Sequence, residues 1–86
     1  MRDDRGAATQ LDRAVVLCEE VARLAGAIAD TEEQVAAVRR QMAALDPGRA
    51  GEHLAAAAAA ERFAAHERRE QSRWRVGGET GGRGPR

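Results

Sequence analysis

The chain has no Lys, no Asn and no Tyr, and carries a single Cys, Phe, Trp and Ile among its 86 residues. Each gap excludes something. A lone thiol, Cys18, rules out an internal disulfide and fits a reducing compartment. With so few aromatic and branched side chains, an independent globular core of ordinary construction is out of reach. No apolar run approaches the ~20 residues that span a bilayer. The opening MRDDRGAATQ lacks the apolar segment of a signal peptide, so the expected location is the cytoplasm. Charge of one sign is missing too. Fourteen basic and fourteen acidic residues cancel, which removes any global attraction to nucleic acid or an anionic membrane.

All fourteen basic residues are Arg. The absent residues have AT-rich codons and the abundant Ala, Arg and Gly have GC-rich ones, as expected of a high-GC bacterium. The choice of Arg over Lys therefore carries no chemical message of its own.

What is present is helical. Alanine supplies about half of the 43% hydrophobic content and has the highest helix propensity. Thr9 with Asp12 offers a capping box, and the chain then runs to Leu45 without proline. Along this stretch a heptad pattern places Ala14, Val21, Ile28, Val35 and Met42 at position a. It places Leu17, Leu24, Thr31, Val38 and Leu45 at position d. Sustained over five heptads, this spacing predicts a coiled coil. LDPGRAGE interrupts the pattern: Asp46 precedes a proline, which disfavours helical angles, and is placed to cap a second helix. The alanine-rich segment then continues to Val76, where Gly77 is a natural helix stop.

The expected architecture is all-α: a two-helix antiparallel hairpin, or coiled coil, with disordered termini. Residues 1–8 are read as a disordered N-terminus, 9–45 as the first helix, 46–51 as the turn, 52–76 as the second helix and 77–86 as a disordered Gly-rich tail. Folding about the turn brings positions whose numbers sum to about 98 opposite one another. Phe63 then lies beside Val35, and Trp74 beside Leu24. Ile28, Val35, Val38, Met42, Leu45, Phe63 and Trp74 are expected to fill the hairpin seam.

In this geometry the second helix reaches back only to about Val21. Leu11, Val15, Leu17, Cys18, Val21 and Leu24 are left as the candidate partner interface, since burying each Leu or Val is worth ~1.5–3 kcal/mol. A homodimer, such as a four-helix bundle of two hairpins, is the simplest occupant, with a helical protein partner as the general case. The alternative is an Arg-rich nucleic-acid contact formed by Arg68, Arg69, Arg73 and Arg75 around Trp74, which combines phosphate-binding cations with a stacking ring.

No catalytic centre, cofactor site or metal site is expected. His66 and Glu70 lie one turn apart, but neither a Cys/His cluster nor an H-E-x-x-H pattern occurs. Cys18 sits on an apolar face, where thiols usually only pack. In size and layout the chain resembles the small helical-hairpin substrates of type VII secretion. Their W-x-G turn and tyrosine export motif are both absent: the turn reads DPGRAG and the only Trp lies near the end of the second helix. Membership of that family is therefore not assigned.

Overall fold

A computed structural model describes residues 4–80. Helix α1 spans Asp4–Leu45, a single 3₁₀ turn spans Pro47–Arg49, and helix α2 spans Ala50–Thr80. The two helices pack against each other as an antiparallel hairpin, and no strand occurs among the described residues. Among the described residues, no helix is long and apolar enough to cross a membrane.

Both helices overrun their expected limits. α1 begins at Asp4 instead of Thr9, and α2 runs through Gly77 to Thr80 instead of stopping at Val76. Extending an existing helix by a turn adds one hydrogen bond per residue, so weak stop signals such as Gly6 and Gly77 do not end it. Thr9 consequently lies inside α1 and has no capping position to fill. Residues 1–3 and 81–86, parts of the expected disordered ends, lie outside the described residues.

The turn is built as the sequence requires, with one change. Asp46 takes a non-helical conformation (φ −131°, ψ 78°) before Pro47. Its side chain makes no capping bond. The backbone closes the corner instead: the Asp46 amide donates to the Met42 carbonyl at 2.8 Å, and the Arg49 amide donates to the Asp46 carbonyl at 3.0 Å. The Asp46 carboxylate lies 4.0 Å from Nε2 of the buried His53. Nδ1 of that ring accepts from the Arg39 guanidinium at 3.2 Å, so His53 ties the turn to both helices.

The hairpin seam is the main departure from expectation. It is lined by Ala22, Ala25, Ala29, Ala36 and Ala43 of α1, facing His53, Ala57, Ala60 and Ala64 of α2. Along each helix these residues advance in steps of three and four or their sums, a coiled-coil spacing in its own right. Ile28, Val35, Val38, Met42, Leu45, Phe63 and Trp74, expected in the seam, are all exposed. At 3.6 residues per turn, the alanine line on α1 is rotated by about 100° from the stripe of large residues. An alanine-rich α2 has few large side chains to fill a groove. It gains most by lying flat against a matching line of methyl groups, where two helices approach closely. Gly26 belongs to this close approach, because a Cβ there would run into the Gln71 amide of α2.

The register agrees with the fold-back geometry. Arg68 reaches Asp30 and Glu33, Arg40 pairs with Glu61, and Gln71 lies over Gly26. The molecule measures 73 × 21 × 12 Å. Its smallest extent is one helix diameter, so no third layer covers either broad face.

Candidate functional site

The hairpin has two unlike flanks. On one, charged side chains span the helices. Arg68 donates to Asp30 at 2.6 Å and to Glu33 at 2.7 Å, and Arg40 donates to Glu61. The hydrogen bonds that Arg68 donates to Asp30 and then Glu33 raise its pKa, and the hydrogen bond from Arg40 lowers that of Glu61. This flank is closed by its own ion pairs.

The other flank is apolar and open. The a and d positions of α1 run along it from Leu17, which is 64% exposed, to Leu45, which is 84% exposed. Leu24, Ile28, Val35, Val38 and Met42 lie between them, every one exposed. Trp74 joins the edge of this stripe from α2, lining a shallow groove with Val21, Leu24 and Ile28, and Glu67 and Glu70 of α2 border the same groove. Phe63, three turns before Trp74 on the same side of α2, is half exposed. The polar break in the stripe is Thr31, whose hydroxyl donates to the Ala27 carbonyl of its own helix at 3.1 Å. That bond satisfies the donor locally, so Thr31 offers its methyl group to the surface.

The six candidate interface residues divide between two lines. Leu17, half-buried Val21 and Leu24 belong to the open stripe, and Leu11, exposed, begins the alanine line one turn before Val15. Val15 and Cys18 continue the alanine line instead and are half-buried. Fold-back geometry alone predicts residues 11–24 as the whole uncovered segment. In the structure the uncovered surface extends a further twenty-odd residues, to Leu45. The heptad count contained that signal, but the stripe was assigned to the hairpin's own seam.

The five residues of the alternative site are not arranged as one cationic patch. Arg68 turns across the hairpin to two carboxylates, and Arg73 lies 3.7 Å from Glu70. Arg69 and Arg75 are exposed. Trp74 faces the apolar groove. His66 is exposed, and His53 is held between Arg39 and Asp46. No family model matches the chain, and no curated protein or solved structure is similar to it.

Proposed function

We propose that the protein is a small coiled-coil association module that docks a helical partner, in the first instance another copy of itself, through the open stripe of α1. One observation carries this reading: the hairpin closes on alanine and leaves nearly every large apolar side chain it owns in water. The stripe runs the length of α1 from Leu17 to Leu45, with Phe63 and Trp74 exposed on the same side of α2. A monomer seldom exposes so large a contiguous apolar patch.

The module holds helices together and carries out no bond-making step. Leu17, Val21 and Leu24 supply one end of the docking surface, Val38, Met42 and Leu45 the other, and Phe63 and Trp74 its margin. The Leu24→Asp variant tests the reading. It places a carboxylate in the middle of the stripe without touching the alanine seam. Light scattering should show an oligomeric wild type and a monomeric variant whose helical circular dichroism is retained. An unchanged mass in the variant, or a monomeric wild type, removes the proposal.

A further inference from the structure

We infer that the outer edge of α2 is a phosphate-binding ridge, built from Arg62, His66, Arg69 and Arg73, that lies along the backbone of a double-stranded nucleic acid. The inference goes beyond the association reading and does not depend on it, because the ridge is separate from the open stripe. The four residues are spaced i, i+4, i+7 and i+11 on α2, which sets them in one row roughly 16 Å long. At about 100° per residue, the row points directly away from the buried line of His53, Ala57, Ala60 and Ala64. All four residues are exposed. The row keeps Arg69 and Arg73 of the patch read from the sequence, and has Arg62 and His66 in place of Arg68, Trp74 and Arg75.

The chain is neutral as a whole, but this edge is not. Three and four residues from Arg62, in either direction, stand Ala58, Ala59, Ala65 and His66. Around Arg69 the same positions hold Ala65, His66, Ser72 and Arg73. Neither arginine therefore has a carboxylate within reach along its own helix. Arg23, Arg40, Arg49 and Arg68, by contrast, each meet one. Arg73 lies 3.7 Å from Glu70, which tempers the row at one end. Arg69 and Arg73, four residues apart, repel each other, and a bound anion relieves that repulsion.

What the edge lacks selects its partner. A protein interface is anchored by large apolar or aromatic side chains, and a membrane surface is held by bulky ones that insert. Beside this row stand only Ala59, Ala65, Glu70 and Ser72. A phosphate backbone needs no such anchor, since counterion release alone drives binding and Arg contacts set the position. A single strand would gain by stacking its bases on a ring, but Trp74 faces the apolar groove. The duplex backbone is what remains.

Anisotropy of a fluorescein-labelled DNA duplex of about 30 base pairs, titrated with the full chain from about 20 to 150 mM salt, tests the ridge. The logarithm of affinity should fall against the logarithm of salt with a slope of about −2.7 for each ridge engaged, from three arginines at about 0.9 each. Arg62→Gln combined with Arg69→Gln should weaken binding at least about tenfold and cut the slope to about a third, with helicity and mass unchanged. Arg75→Gln, on the other side of α2, should stay within about twofold of wild type. No binding by the wild type at the lowest salt overturns the inference. So does a double variant that loses no more than Arg75→Gln. Equal or tighter binding of a single strand of the same length, of phosphatidylserine vesicles or of polyglutamate overturns it as well.

Discussion

Alanine at the seam sets how closely the two helices lie. Ala57 is 0% exposed and packs with Ala36 and Ala60, so its methyl group already fills the space available. Ala57→Leu adds three carbons where α1 cannot withdraw without opening the hairpin along its length. Overpacking of this kind costs about 1–3 kcal/mol. Thermal melting of Ala57→Leu should fall by several degrees, while Ala55→Leu, on an exposed face of the same helix, should melt close to wild type. Equal melting of the two variants would show that the alanine line is not the seam. The same residue marks the limit of the sequence reading. Alanine weighs little in any hydrophobic pattern, so a heptad search follows the Leu, Val and Ile positions and passes over Ala22, Ala25, Ala29, Ala36 and Ala43. The helix–break–helix plan, the fold-back register and the place of Trp74 beside Leu24 were legible from spacing alone. Which of two stripes on α1 would face α2 was not. That choice depends on the shape of the partner surface, and a flat alanine helix matches the flatter stripe.

Between the elements, the ion pairs lie together on the flank away from the open stripe. Arg40 with Glu61, and Arg68 with Asp30 and Glu33, cross from one helix to the other at matching heights. Exposed pairs of this type add little to stability one by one, but, with Arg39 on His53, they are cross-helix contacts placed to fix register. The hydrogen bond from Arg40 holds the Glu61 carboxyl below its ordinary value of 4.5. A carboxyl whose pKa is lower in the folded state stabilises the fold above its unfolded pKa, and that contribution is lost as pH falls through the folded value. Melting temperature should therefore decline from about pH 4.5 downward, and Glu61→Gln should flatten part of the decline. A variant with an unaltered acid limb would show that this pair is not coupled to folding. The sequence held these charges in view but gave no means of choosing between a cationic patch and a buttress. Arg68 was assigned to the patch, because its two carboxylate partners lie 35 and 38 residues away in sequence and meet it only once the hairpin forms.

For the whole molecule, the consequence concerns where its stability comes from. A slab 73 Å long and 12 Å thick, with eight alanines as the buried apolar residues among those described, removes little apolar area from water inside one chain. Transfer free energy scales with that area, so the larger share available to this sequence lies on the open stripe and is gained only on association. Pairing should then add to the stability of a hairpin that is weak on its own, and the population of folded protein should rise with concentration. A tenfold rise in concentration contributes about 1.4 kcal/mol to the dimer, which for two chains of this size corresponds to a melting shift of roughly 4 °C. Circular dichroism melts from 1 to 100 μM should show two such steps in the wild type. In Leu24→Asp the melting temperature should be lower and should not move with concentration, because the helices of that variant fold as single hairpins. A wild-type melting temperature that stays fixed across that range would mean that the alanine seam alone holds the protein together. In that case the exposed leucines and valines of α1 contribute nothing to its folded state.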